Sequence, residues 1–250
     1  MYDATVATPR WSYIIWFTQR VGSTVITQAI EDLQIAGRPR EWLEADSVAA
    51  LLARHGARDV FELRDSLWHQ ATTNAVFGVK YGMTPAAHSQ LTELFSGLLK
   101  GADERAAWNA MFPRCRHIYV TRRDRLRLAI SWWRAIQSGE WHRPNRADTV
   151  VGITAPPTGD VGYDAAAIAH LLEEVDHRET AIHETFSRWS VAPHTITYED
   201  LVHSYEATLR AALVFLGAPE DVRVPRAAFT RLADDTSERW YAQFLAERGR

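Results

Sequence analysis

Residues 12–24 read Ser12-Tyr13-Ile14-Ile15-Trp16-Phe17-Thr18-Gln19-Arg20-Val21-Gly22-Ser23-Thr24. Tyr13 to Phe17 is a short continuous apolar run, the pattern of a strand buried on both faces. A polar turn with one glycine follows. From Ser23, Ile26, Ile30 and Leu33 fall at helical spacing, with Gly37 as the expected stop. A strand, a tight turn and a helix opening on hydroxyl residues form an anion site by geometry. The first backbone N–H groups and the positive end of the helix dipole point into the turn. Gly22 lets the backbone approach closely, Ser23 and Thr24 add hydroxyl donors, and Arg20 adds a charged fork suited to phosphate or sulfate. A capping role for Ser23 and a solvated Arg20 would account for the same residues without a ligand.

The turn is not a Walker A loop. That motif needs Gly-x-x-x-x-Gly-Lys-Ser/Thr, whereas residues 17 and 23 here are Phe and Ser, with no lysine nearby. A single glycine also cannot form the Gly-x-Gly-x-x-Gly dinucleotide fingerprint.

Outward from this unit, residues 75–80 and 117–121 read as two more core strands. The second leads into a helix over 124–135 capped by Asp124. An amphipathic stretch spans 165–189, a strand 195–198, a helix 205–216 ending at Gly217, and a last helix 235–247. Strands alternating with helices predict an α/β fold: a single domain over 1–250 with a central parallel β-sheet flanked by helices. Residues 138–164, with four glycines and three prolines, break the pattern and are expected to form a loop that covers an active site.

Composition narrows the class. Of 250 residues, 46% are hydrophobic, enough for a substantial core, and no run of 18 apolar residues suggests a membrane span. The N-terminus lacks a basic-then-apolar leader, and one cysteine, Cys115, fits a reducing compartment, so a soluble cytoplasmic protein is expected. A net charge of −3 gives no general attraction to nucleic acid. Arginines cluster locally, seven between Arg114 and Arg134. The ten histidines show no metal-ligand spacing, so no metal is expected.

The run Ile118-Tyr-Val-Thr-Arg-Arg-Asp-Arg-Leu-Arg-Leu-Ala-Ile-Ser-Trp-Trp-Arg-Ala135 places Arg123 at a strand end and Ser131 eight residues later, inside the following helix. That pair could hold a second phosphate. Two anion sites on one sheet suggest a nucleotide phosphorylated at both 5′ and 3′ positions.

With both segments in hand, the chain resembles the sulfotransferases that use 3′-phosphoadenosine-5′-phosphosulfate (PAPS), and among them the bacterial Stf-zero branch, known for sulfating trehalose. Further carriers of the resemblance are Ala-Gly-Arg-Pro-Arg-Glu-Trp (36–42), Phe-Gly-Val-Lys (77–80), Ile-Thr-Tyr-Glu-Asp-Leu (196–201) and Ala-Asp-Asp…Glu-Arg-Trp (233–240). The resemblance implies a P-loop-like sulfotransferase fold. It implies that Arg20, Gly22, Ser23 and Thr24 hold the 5′-phosphosulfate, that Arg123 and Ser131 grip the 3′-phosphate, and that Glu41 is the general base on an acceptor hydroxyl. It further implies a sugar or glycosylated metabolite as acceptor, adenosine 3′,5′-bisphosphate as product, and relatives that can be homodimers. Two departures stand out: Val21 in place of a serine, and Tyr81-Gly82-Met83 where Met and Trp often follow the lysine. Lys80, at a strand end, is expected to contact the sulfuryl group or the acceptor, with Arg20 stabilising charge on the leaving group. Trp42, Trp141, His142 and Tyr81 are expected at the acceptor. Two other readings remain, a P-loop-type nucleotide kinase and an arginine-rich RNA-binding module over 114–134.

Overall fold

The computed structural model describes residues 7–141, 162–226 and 235–248. In chain order the described elements are β1 (Trp11–Phe17), α1 (Ser23–Leu33), α2 (Val48–Arg54), α3 (Val60–Ala71), β2 (Thr72–Thr73), β3 (Val76–Gly82), α4 (Pro85–Ser96), α5 (Glu104–Met111), β4 (Cys115–Thr121), α6 (Arg125–Ser138), α7 (Ala165–Arg188), β5 (His194–Thr197), α8 (Tyr198–His203), α9 (Tyr205–Phe215) and α10 (Asp235–Arg248). Five strands form one sheet in the order β2-β3-β1-β4-β5. β1 pairs in parallel with β3 on one side and β4 on the other, and β4 in parallel with β5. The short β2 runs antiparallel to β3 at the edge. The sheet is therefore mostly parallel, and the expected α/β architecture with helices on both faces is present.

Every residue of β1 is buried, because it lies in the middle of the sheet with both faces covered. Strand alternation sorts its side chains into two cores. Tyr13, Ile15 and Phe17 join Val76, Ile118 and Val120 beneath α1, α6, α9 and α10. Ile14 and Trp16 join Phe77, Val79, Tyr81 and Tyr119 beneath α2 to α5. α7 contributes to both, with Ile168, Leu171 and Val175 in the first and Ile182 and Phe186 in the second.

Two local expectations change. α1 stops at Leu33, with Gln34 in the left-handed region at φ 54°, rather than at Gly37. Gly37 instead permits a close backbone approach. At φ 74° it packs so tightly that a Cβ would lie 2.8 Å from the Val76 carbonyl oxygen and 2.9 Å from the Gly78 nitrogen. Ser23 is not the cap of α1 either. Gly22 is the cap residue, at φ 81°, and no side chain closes the helix start.

The chain leaves β1 toward β3 on one side and later reaches β4 on the other. The carboxyl end of β1 is thus a topological switch point, where open α/β sheets form a crevice for ligands.

Candidate active site

Arg20 sits in that crevice. Its backbone is left-handed at φ 66°, and with Gly22 at φ 81° it folds residues 18–22 into the turn between β1 and α1. Gly22 lies so close to α8 that a Cβ would come within 3.1 Å of the Tyr198 ring. The Arg20 guanidinium donates through Nε to Ser131 Oγ at 3.0 Å and through Nη1 to the Trp141 carbonyl. Burial lowers its pKa to about 10, with the charges of Arg122 and Arg134 acting in the same direction. Three guanidinium groups thus converge around one turn. Thr18, fully buried at the end of β1, has an Oγ1 without a hydrogen-bond partner.

Ser131 therefore meets Arg20. Arg123, expected to work with Ser131, points elsewhere: its Nη2 lies 3.1 Å from Asp200 Oδ1, and its side chain is 60% exposed. Its neighbour turns inward instead. Arg122 is 6% exposed, its guanidinium carbon 4.3 Å above the Tyr198 ring, within electrostatic reach of Arg20. The strand explains the swap, since β4 ends at Thr121 and Glu199 accepts the backbone N–H groups of both Arg123 and Asp124, at 3.1 Å each. Spacing alone could not choose between adjacent arginines. The signal that could have done so was the Tyr-Glu-Asp after β5, whose carboxylates claim one arginine and whose ring takes the other.

Across the turn stands a second cluster. Lys80 Nζ donates to Glu41 Oε1 at 2.6 Å and to Thr24 Oγ1 at 3.1 Å, and lies 4.5 Å from the Phe17 ring centroid. The lysine is buried among these partners, with 7% of its side chain exposed, whereas Glu41 is one-third open at 34%. Residues 38–42 run along the free edge of β3 beyond β2. Arg38 N–H donates to the Ala71 carbonyl at 2.8 Å, and Lys80 N–H to the Arg40 carbonyl at 3.0 Å. Arg40 also reaches Glu31 on α1, Nε to Oε2 at 3.1 Å. Glu41 is thereby fixed beside the lysine. Three residues on, the neighbouring Glu41 carboxyl, together with desolvation, pushes the Glu44 carboxyl up to about 7 against the opposing pull of Lys80 and Arg54. Sequence reasoning passed over Glu44, although the Glu-x-x-Glu spacing was visible.

The expected acceptor residues divide. Trp42 is half-buried beside Glu41, donating through Nε1 to the Arg38 carbonyl at 2.6 Å. Trp141 is 40% exposed and meets Arg20 through its backbone. Tyr81 is not at a surface. Alternation turns it to the face opposite Lys80, where it is 4% exposed and packs at 5.2 Å against Trp16 and 5.4 Å against Trp108. His142 and most of 138–164 lie outside the described residues. Val21, the departure from serine, is fully buried in the core beneath α1. Arg125 and Arg127 are held by carboxylates as well, Arg125 by Asp176 and Glu179, Arg127 by Asp124 and Glu238. Among the described residues no group of three or more His, Cys, Asp or Glu is placed to hold a metal, and no helix is long and apolar enough to cross a membrane.

A cationic cradle at the switch point of a mostly parallel sheet, with a carboxylate–lysine pair beside it, is the layout of an α/β enzyme that works on an anionic group. The family model for the Stf0 sulphotransferase matches residues 12–247, nearly the whole chain, and the chain belongs to that family. It is 26% identical over 267 residues to the trehalose 2-sulfotransferase of Mycolicibacterium smegmatis, covering 93% of this chain and 94% of that one. The trehalose 2-sulfotransferase of Mycobacterium tuberculosis is 24% identical over 268 residues, with 94% of each chain covered. This protein is a sulfotransferase, and the kinase and RNA-binding readings give way to that finding.

Proposed function

We propose that this sulfotransferase moves a sulfuryl group from PAPS to a hydroxyl of a sugar, with Glu41 as general base. The observation that carries the reading is the Glu41–Lys80–Thr24 chain, 2.6 and 3.1 Å, which ties a carboxylate to the anion-binding turn. A base must stand within reach of the hydroxyl it deprotonates, and the group transferred must be held in line beside it.

The residues fit the donor. Arg20, lowered first by burial, also meets the like charges of Arg122 and Arg134, a repulsion that an anion would relieve. The uncommitted Thr18 Oγ1 and the close-packed Gly22 belong to the same turn. Arg20, Gly22, Ser23 and Thr24 would hold the 5′-phosphosulfate, and Arg122 with Ser131 the 3′-phosphate, Arg122 replacing Arg123 in that role. PAPS, when bound, supplies an activated sulfuryl group on a phosphate leaving group. Arg20 and the N–H groups at the start of α1 would stabilise the negative charge that gathers there. Lys80 orients Glu41 and would meet the sulfuryl oxygens, and no metal is needed in this scheme. Trp42, beside Glu41, offers an aromatic face to a sugar ring. The acceptor is proposed from the two relatives, which are trehalose sulfotransferases. A cytoplasmic setting fits the use of PAPS.

The test is Glu41→Gln. The variant should bind adenosine 3′,5′-bisphosphate as the wild type does and lose about 10²–10⁴-fold in turnover of PAPS with a sugar acceptor. Near-normal turnover would remove Glu41 from the role of base.

A further inference from the structure

We infer that Gln19, in the turn after β1, reads the acceptor: its side-chain amide donates to a sugar oxygen beside the hydroxyl that is sulfated, and Arg178 of α7 is its positioning residue. This rests on the reading of the acceptor as a sugar whose hydroxyl lies at Glu41. Arg178 Nη1 donates to Gln19 Oε1 at 3.0 Å. A guanidinium has donors and no acceptor, so only the carbonyl end of the amide can face it. The nitrogen end is thereby turned away from Arg178, and among the described residues Gln19 Nε2 donates to no protein group. Arg178 is itself fixed. Its Nε donates to Glu174 Oε1, one helical turn back, at 2.6 Å, and its guanidinium carbon lies 5.1 Å from the Trp132 ring of α6. Only 15% of its side chain is exposed.

The free end of the amide lies on the face of the sheet that carries Lys80. Gly82 sits opposite Phe17 in the β1–β3 register, and a Cβ on it would come within 3.1 Å of the Phe17 ring and 3.7 Å of Gln19 Nε2. Lys80, two residues earlier and therefore on the same face, puts Nζ 4.5 Å from the centroid of that ring. The Gln19 amide and the Lys80–Glu41 pair thus flank one phenyl ring at the carboxyl ends of β1 and β3. Two residues of parallel strand span about 6.6 Å, the breadth of one pyranose ring with its hydroxyls. A sugar with one hydroxyl at Glu41 can therefore set a neighbouring oxygen at Gln19 Nε2. Gly82, without a side chain, leaves the ring room between them. The amide is neutral, so it selects an oxygen by hydrogen bonding and adds no charge to the anion-binding turn. Arg20, the next residue, is committed elsewhere, to Ser131 and the Trp141 carbonyl. Adjacent residues of one turn thus divide the two substrates, Gln19 facing the acceptor and Arg20 the donor.

Gln19→Met keeps the length of the side chain and removes both N–H donors. The experiment measures kcat and KM for wild type, Gln19→Met, Arg178→Met and Arg178→Lys with PAPS and the best-used sugar of a panel headed by trehalose. It then repeats them with each monodeoxy analogue of that sugar. In wild type, one analogue should lose about tenfold in kcat/KM against the parent sugar, the effect of one unmade hydrogen bond. Gln19→Met should lose about tenfold on the parent sugar, mainly through KM, and lose nothing further on that analogue. The penalties of the other analogues should persist in it. Arg178→Met should show the same pattern more weakly, and Arg178→Lys, which keeps one charged donor for the carbonyl, should recover most of the loss. Calorimetric titration should give Gln19→Met the affinity of wild type for adenosine 3′,5′-bisphosphate. Penalties as large in Gln19→Met as in wild type for every analogue would overturn the assignment. So would weaker binding of the bisphosphate by Gln19→Met, which would return Gln19 to the donor site. Equal impairment of Arg178→Lys and Arg178→Met would remove Arg178 as the positioning residue. A wild type that sulfates no sugar would instead overturn the proposed function, and the reading of Gln19 with it.

Discussion

Arg122 and Arg123 are adjacent, alike in chemistry and opposite in placement. Arg122 is buried against Tyr198 near Arg20, whereas Arg123 is spent on Asp200 at the surface. A charge-assisted bond to a phosphate in a partly dry site is worth about 1.5–3 kcal/mol, far more than an exposed ion pair. Arg122→Ala should weaken adenosine 3′,5′-bisphosphate by about 10–100-fold in calorimetric titrations, and Arg123→Ala by about twofold or less. Equal losses would return Arg123 to the site. At this scale the sequence was half legible. Arg20, Ser131, Glu41 and Lys80 were all singled out in it, and the fold brings Arg20 to Ser131 and Lys80 to Glu41. Which of two neighbouring arginines faces inward depends on where β4 ends and on the carboxylates of α8, tertiary facts that no local spacing contains. Tyr81 failed for a simpler reason: a period of two puts the residue after an inward Lys80 on the other face.

The segment that carries Glu41 is held as an element without regular structure of its own. It enters through Gly37, runs along β3 by the Arg40–Val79 bridge, and is clamped by Arg38 to the end of α3. Gly37 has no room for a side chain. An added Cβ would press on the Val76 and Ala71 carbonyl oxygens and the Gly78 nitrogen, at 2.8 to 2.9 Å, in a backbone conformation that disfavours L-residues. Gly37→Ala should cost about 3 kcal/mol, a fall in Tm of roughly 6–12 °C for a domain of this size. It should also reduce kcat in the folded fraction more than it weakens donor binding. An unchanged Tm would mean that the segment relaxes around the methyl. Four of the five described strands and the helices α1, α6, α7, α9 and α10 were readable from apolar runs and caps, whereas Tyr198, expected to end a strand, opens α8. Asp124, read as the cap of α6, does accept from the Arg127 N–H. The cluster α2 to α5 was not read, although Ser47, Asp59, Thr84 and Asp103 each cap one of its helices. Short helices with weak periodicity announce themselves by caps rather than by faces.

The whole molecule depends on a sheet buried on both sides, and on polar groups that remain neutral inside it. His117 on β4 accepts a hydrogen bond from Trp16 Nε1 at Nδ1, 3.0 Å, and burial, aided by the charge of Arg105, lowers its pKa to about 4. The unfolded chain binds this proton from about pH 6.5 downward and the folded chain only near 4, so between those values the unfolded state holds more protons. The stability that neutral His117 contributes is therefore complete above about pH 6.5 and is lost as pH falls toward 4. His88 and His194, also lowered by burial, act in the same direction. Between pH 7 and 5 the His117 share is roughly 2 kcal/mol, or about 4–8 °C in Tm. His117→Gln, which keeps an acceptor for Trp16, should flatten the slope of Tm against pH by that amount; an unaltered slope would place the acid sensitivity elsewhere. The central claim is that the anion-binding turn and the Glu41–Lys80 pair work together on one sulfuryl group. Its most direct test is the mass spectrum of a sugar panel, trehalose included, after incubation with the protein and PAPS in magnesium-free buffer. The account predicts one sugar heavier by a single sulfuryl group, with adenosine 3′,5′-bisphosphate formed in equal amount. An unmodified panel with PAPS intact would contradict it.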